Sequence, residues 1–187
     1  MKEELKQSFD RVKSGLSWAE GGNPFFYCVV GEKRNDKTRS FDEPKPVLEI
    51  LGEDEIRIFS ELTDAFEVFP VLHHCNTVYT VMEPKYLTYV RAFNEWKRKE
   101  KAKLSLKQTK SSSFESSLMT IKELIGEKRL IFPENSIIKQ QLTVFSKASL
   151  KDEVSFYAVR ALTLVIDAFQ KKTVSETTEV PNMRAWW

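Results

Sequence analysis

Cysteine and histidine are scarce in this chain of 187 residues, which contains only Cys28, Cys75, His73 and His74. Neither the cysteines nor the histidines have the spacing of a structural zinc site. Adjacent histidines lie on opposite faces of a strand or far apart on a helix, so we expect neither a shared metal ion nor a histidine-based catalytic triad. Because no export signal is evident, we predict that both thiols are free and buried.

Long hydrophobic runs are also absent. The longest, near Phe25–Val30, falls far short of the roughly 18–20 residues that span a bilayer. The charged start, Met1–Lys6, is not followed by an apolar stretch, so we expect no signal peptide and a cytoplasmic protein without a membrane partner. The glycine-rich phosphate loop, the dinucleotide fingerprint and the Gly-x-Ser-x-Gly elbow are missing, which argues against the enzyme classes that need them.

Charge of both signs is plentiful but unevenly distributed. The 29 basic and 27 acidic residues leave a formal net charge of +2. Residues 41–67 contain nine acids and two bases, whereas residues 85–110 contain nine bases and two acids. The basic segment is either an ordinary solvated surface or a surface that neutralises several phosphates.

Hydrophobic periodicity predicts alternating strands and helices, which is typical of an α/β fold with a largely parallel sheet. The predicted strands are Phe25–Val30, Pro46–Leu51, Thr77–Met82 and Leu104–Gln108, and Leu130–Pro133 is predicted to be either a short buried strand or a turn. The predicted helices cover 55–68 with Asp54 as its cap, a segment opened by Pro84 that runs to about Lys99, a segment from Ser111–Ser113 to Gly126, a segment capped by Asn135 or Ser136, and Asp152–Lys171. Residues 1–24 are predicted to be a helical extension, 25–172 the main domain and 173–187 a polar tail.

Three acidic positions are candidates for metal chemistry. Glu32 follows the first predicted strand, Glu83 follows the Thr77–Met82 strand, and Asp152 with Glu153 precedes the last helix. Ligands of open α/β sheets collect beyond the carboxyl ends of strands, and carboxylates are the oxygen ligands that Mg²⁺ prefers. If they converge, they would hold two metal ions for phosphodiester hydrolysis; alternatively, each is a turn residue or helix cap.

From about Phe25 to Phe169, and most clearly in its C-terminal third, the chain resembles the nuclease domain of tailed-phage terminase large subunits. The resemblance is carried by a basic and serine-rich loop, a helix, a short buried strand, a further helix, and an acid before an alanine-rich helix: 107–113, 121–125, 129–135, 140–145, 152–154 and 158–162. It implies an RNase H-like mixed central sheet flanked by helices, and an endonuclease that depends on Mg²⁺ or Mn²⁺ and cuts concatemeric viral DNA. The family expects aspartate after the first strand, where this chain has Glu32.

The resemblance also implies which residues are catalytic and which bind metal or DNA. Glu32, Glu83 and Asp152 would be catalytic and bind metal with Glu153, and double-stranded DNA would be bound by Lys97, Arg98, Lys99, Lys107 and Lys110. A bacterial or prophage origin is implied, and a terminase ATPase domain, a small terminase subunit and a portal would be partners. Two alternatives remain: a catalytically degenerate module that binds DNA or a partner, and an interaction protein that uses its acidic segment.

Overall fold

The computed structural model describes residues 9–33, 45–73, 75–109, 114–145 and 155–170, which form six strands and five α-helices. The strands are β1 (Arg11–Ser17), β2 (Phe25–Lys33), β3 (Val47–Ile56), β4 (Thr77–Thr80), β5 (Ser105–Gln108) and β6 (Leu130–Ile131). The helices are α1 (Phe59–His73), α2 (Leu87–Lys99), α3 (Phe114–Gly126), α4 (Ile137–Val144) and α5 (Tyr157–Gln170), with a 3-10 turn (Pro84–Tyr86) before α2.

The strands form one sheet in the order β5-β4-β1-β2-β3-β6. β1, β2 and β3 pair antiparallel, whereas β4 pairs parallel to β1, β5 parallel to β4 and β6 parallel to β3. An antiparallel three-strand unit, extended by parallel strands beside its first member and covered by helices, is a mixed central sheet of the kind that we expected. The α/β fold class is confirmed, although antiparallel pairing is more extensive than alternating strands and helices suggested.

Strand β1 is the main departure from the sequence prediction, which placed these residues in a helical extension. β1 lies at the centre of the sheet, between β2 and β4. Helix α5 packs so closely on it that a Cβ at Gly15 would lie 2.3 Å from the carbonyl oxygen of Ala161. Glycine inside a strand often marks such a close approach. Residues 11–17 are therefore a strand of the central sheet and not a helix.

Two hydrophobic layers cover the two faces of the sheet. Because side chains alternate along a strand, Phe26, Cys28 and Val30 of β2 pack beneath α3, α4 and α5. Their neighbours Phe25, Tyr27 and Val29 pack beneath α1 and α2. The structure confirms the strand predicted at Phe25–Val30, and burial on both faces explains why the sequence there is a continuous apolar run. Cys28 and Cys75 are free and buried, which confirms the prediction for the thiols.

Strand β3 is longer than its sequence suggested, because it continues past Gly52 to Ile56. Asp54, predicted to cap the next helix, therefore lies in the strand, and α1 begins at Phe59. Ser136 caps α4 as expected, its hydroxyl accepting a hydrogen bond from the Lys139 amide. Within the described ranges, no helix has the length and apolar character needed to cross a membrane.

Candidate functional site

Glu32 lies near the end of β2, opposite the first residue of β1. The Cα register pairs it with Arg11. Its side chain is only 4% exposed, and its two oxygens accept hydrogen bonds from Arg11 Nε at 2.9 Å and Nη2 at 2.6 Å. These hydrogen bonds raise the pKa of Arg11. Glu32 is thus a buried carboxylate neutralised by a two-pronged guanidinium contact.

Glu83 lies at the other end of the sheet, beyond the carboxyl end of β4. It precedes the 3-10 turn and is exposed, with Lys85 Nζ 3.5 Å from its carboxylate. Thr80, the last residue of β4, lies level with Leu16 of β1, and its hydroxyl donates a hydrogen bond to the Leu16 carbonyl. Glu32 lies level with Arg11, at the other end of β1. Those levels are about 17 Å apart, from five residues of strand at a rise of about 3.3 Å each.

The structure therefore does not bring Glu32 and Glu83 together. The reason is the direction of β2: it is the second strand and runs antiparallel to β1, so its end lies at the amino ends of β1 and β4. Asp152, Glu153 and Lys110 lie outside the described residues. Among the residues that are described, no group of three or more acidic, histidine or cysteine side chains is arranged to hold a metal ion.

A different acid, Glu20, occupies the carboxyl end of β1. Its carboxylate lies 2.7 Å from Lys85 Nζ and 3.3 Å from Arg160 Nη1, and the Tyr86 hydroxyl donates a short hydrogen bond to it. Arg160 Nη1 also lies 3.2 Å from the Tyr86 hydroxyl oxygen. We call Glu20, Lys85, Tyr86 and Arg160 the carboxyl-end cluster. It joins the ends of two strands to the first turn of α5.

Sequence reasoning missed this cluster because it missed β1. The sequence feature that could have indicated a strand end here is Glu20 directly before Gly21-Gly22. Both glycines adopt positive φ in the turn between β1 and β2. Residues 65, 66 and 140 positions away in the chain supply the partners of Glu20. No local pattern encodes contacts of that range.

Hydrogen bonds determine the electrostatics of the carboxyl-end cluster. The bond from Lys85, followed by that from Tyr86, lowers the pKa of Glu20. The contact with Glu20 raises the pKa of Lys85, and burial raises the pKa of Tyr86. A carboxylate with three donors has little capacity left for a cation. The described residues therefore do not fit a two-metal site, and the cluster is arranged to hold α5 and the 3-10 turn against β1.

A second surface consists of positively charged side chains at the end of α2, in the connection to β5 and in β5 itself. All are exposed except Lys97, which is half-buried. We call this the basic surface: Lys97, Arg98, Lys99, Lys101, Lys103 and Lys107. Of these six side chains, only Lys99 has an ion-pair partner among the described residues, Glu100 at 3.7 Å.

The basic surface and Glu83 lie at opposite ends of α2. About 15 Å of helix axis separates Leu87, the first residue of α2, from Lys97. The basic surface therefore lies beside the amino ends of β4 and β5, away from the carboxyl-end cluster. The structure keeps together the described lysines and arginine that were predicted to bind DNA, and places Glu83 at the opposite end of α2 from them. Glu32, at the amino ends of β1 and β4, lies at the same end of the sheet as the basic surface.

Comparisons with known proteins are sparse. No family model matches the chain, and no curated protein matches it. Among solved structures, the yeast mitochondrial Holliday junction resolvase Ydc2 is similar to this chain, at 11% identity and a TM-score of 0.40, with 90% of this chain and 87% of that chain covered. This likeness assigns no activity to the chain, whose function has to be inferred from its own residues.

Proposed function

We propose that this protein is a DNA-binding module of RNase H-like architecture that binds the phosphate backbone through its basic surface. The supporting observation is the grouping of six basic side chains, five of them exposed, around the end of α2 and β5. Five of them have no ion-pair partner among the described residues. Their charges are available to displace counterions from phosphates, which is the main source of affinity in sequence-independent DNA binding.

Binding through this surface should depend steeply on salt. Each phosphate that a lysine or arginine neutralises adds about −0.9 to the slope of log K against log salt concentration for duplex DNA. If most of the basic surface makes contact, the slope should be about −4. A slope close to zero, or no retention of DNA at low salt, would contradict the proposal and favour a protein–protein interaction role.

Charge substitutions give the direct test. The double variant Lys99→Gln/Lys107→Gln should reduce the slope by about 2 and weaken binding at every DNA sequence. The matched control, Lys122→Gln/Lys139→Gln, removes two exposed charges from α3 and α4, which cover the other face of the sheet. Fluorescence anisotropy with a labelled duplex at several salt concentrations measures the affinity and the salt slope of each variant. Equal losses in the two variants would show that the effect comes from net charge alone.

A second candidate function is cleavage of DNA by a terminase-type endonuclease. The observation in its favour is that Glu83 is exposed beyond the carboxyl end of β4, with Lys85 Nζ, at 3.5 Å, as its one ion-pair partner among the described residues. Asp152 and Glu153 precede α5, whose first turn contributes Arg160 to the same end of the sheet. A terminase ATPase domain, a small terminase subunit and a portal would be partners only under this candidate.

Mn²⁺-dependent nicking of supercoiled plasmid distinguishes the candidates. Under the first proposal, the purified chain retards plasmid DNA but produces no nicked circles with Mg²⁺ or Mn²⁺. Under the second, the wild type nicks, and Glu83→Ala and Asp152→Ala each abolish nicking. Glu32→Ala is a useful comparison, because the structure places Glu32 at the opposite end of the sheet from Glu83.

A further inference from the structure

A groove opens beside the basic surface, between α1, the end of α2 and the connection to β5. Its volume is about 440 Å³, which lies in the roughly 300–1,000 Å³ range of small-molecule sites. Phe66, Trp96 and Leu104 form its apolar part, and Glu67, Asn76, Glu100 and Lys103 are its exposed polar residues, with Ala102 half-buried between them.

Trp96 is the aromatic side chain best placed to receive a flat ligand. It is half-buried, and its ring contacts Phe66 and Phe93 at centroid distances of 5.8 and 5.5 Å. Both contacts are tilted by 47°, so neither neighbour is stacked parallel to the indole. Phe66 and Leu104, which line the groove with Trp96, are almost fully buried. The groove thus combines a half-buried indole with a buried apolar floor.

The groove and the basic surface share residues. Lys103 belongs to both, and Trp96 directly precedes Lys97, Arg98 and Lys99 in the last turn of α2. Aromatic side chains next to positive charges are the usual arrangement of sites for single-stranded nucleic acid, where bases stack and lysines track the backbone. A paired base is already stacked within its duplex and cannot enter such a groove.

From this arrangement we propose that the groove binds an unpaired nucleobase, so that the protein binds DNA with single-stranded segments more tightly than fully paired DNA. This inference rests on the proposed DNA-binding function and adds its substrate class. Glu67 and Glu100 at the rim accept hydrogen bonds, which matches the exocyclic amino group of cytosine. Thymine has no such group, so an oligonucleotide of dC should bind more tightly than one of dT.

The test compares three labelled probes with the full chain: a dC strand and a dT strand of about 20 nucleotides, longer than typical single-strand sites, and a duplex of the same length. Trp96→Leu removes the stacking surface and should weaken binding of single strands about tenfold, with much less effect on the duplex. Trp96→Phe, which keeps an aromatic ring, should restore most of the affinity. Glu100→Gln should reduce the preference for dC over dT.

Phe93→Leu is the matched control for loss of packing. Phe93 is buried in the same aromatic group and contacts Trp96, but it does not line the groove. It should lower thermal stability while leaving single-strand affinity unchanged. Asn76→Ala, an exposed substitution in the groove, gives a measurement independent of packing, and we expect weaker single-strand binding.

Separate outcomes refute the inference and the proposed function. If Trp96→Leu binds single strands as the wild type does, or weakens duplex and single strands equally, the groove does not receive a base, while DNA binding by the basic surface stands. If the wild type binds none of the three probes at low salt, the proposed function itself is wrong. If dT binds as tightly as dC, the role of the rim carboxylates is refuted.

Discussion

Replacing Lys101 by glycine should stabilise the protein and weaken its binding to DNA at the same time. Lys101 has a φ of 52°, in the left-handed region that side chains disfavour. It follows the end of α2, where the amide of Ala102 donates a hydrogen bond to the Lys97 carbonyl at 3.1 Å. This is the hydrogen bond of a Schellman motif, whose left-handed position is usually glycine.

The stability gain follows from two opposing terms. A side chain in the left-handed region costs about 1–2 kcal/mol, and glycine loses about 0.5–1 kcal/mol more backbone entropy on folding. The net gain for Lys101→Gly is therefore about 0.5–1 kcal/mol. In a protein of this size, that gain raises the melting temperature by about 2 °C.

Lys128 supplies a matched control. Its φ is 55°, and it ends α3 in the same way, with the Arg129 amide bonded to the Leu124 carbonyl at 2.7 Å. Lys128 lies next to β6, at the opposite edge of the sheet from β5. Lys128→Gly should therefore give the same stability gain, but it removes a charge remote from the basic surface.

Thermal melting and DNA-binding titrations in parallel separate the two effects. Lys101→Gly should weaken duplex binding about threefold to tenfold and reduce the salt slope by about 1, as expected for one lost phosphate contact. Lys128→Gly should leave the duplex affinity and the salt slope unchanged. The reasoning is refuted if the two variants bind DNA equally well, or if neither raises the melting temperature.

Three further predictions concern the packing of α5 on β1, the ion pair of Glu32 and the carboxylate of Glu20. Gly15→Ala should destabilise the protein by about 3 kcal/mol in urea unfolding, since the new Cβ would lie 2.3 Å from an α5 carbonyl; Gly126→Ala, with no neighbour within 4 Å, should cost nothing. Glu32→Gln should cost about 1–3 kcal/mol, because it removes the charge that a guanidinium contacts; an unchanged urea midpoint would contradict this. The pKa of Glu20 in the folded state is lower than its ordinary 4.5, so the ionised carboxylate stabilises the folded protein fully above pH 4.5. That contribution to the free energy of unfolding is lost as the pH falls through the lowered pKa, and Glu20→Gln should remove this acid-side loss of stability.

The sequence by itself determined the elements whose signals are local. Pro84 and Ser136 marked helix starts that the structure reproduces at α2 and α4, and α3 ends at Gly126 as predicted, although the left-handed residue that closes it is Lys128. These are encoded locally because caps and breakers act on backbone groups within one turn. The continuous apolar run at Phe25–Val30 predicted a strand, and β2 lies there with both of its faces covered by the two hydrophobic layers. The concentration of basic charge in residues 85–110 was likewise visible in the sequence.

Only the tertiary structure decided which residues meet. β1 is stabilised as a strand by pairing with β2 and β4 and by the close approach of α5 at Gly15, none of which is a property of its own sequence. Once β1 is the first strand, β2 runs antiparallel to it, so Glu32 and Glu83 fall at opposite ends and Glu20 comes to the carboxyl end instead. The direction of a strand depends on long-range hydrogen bonding, which local periodicity does not record.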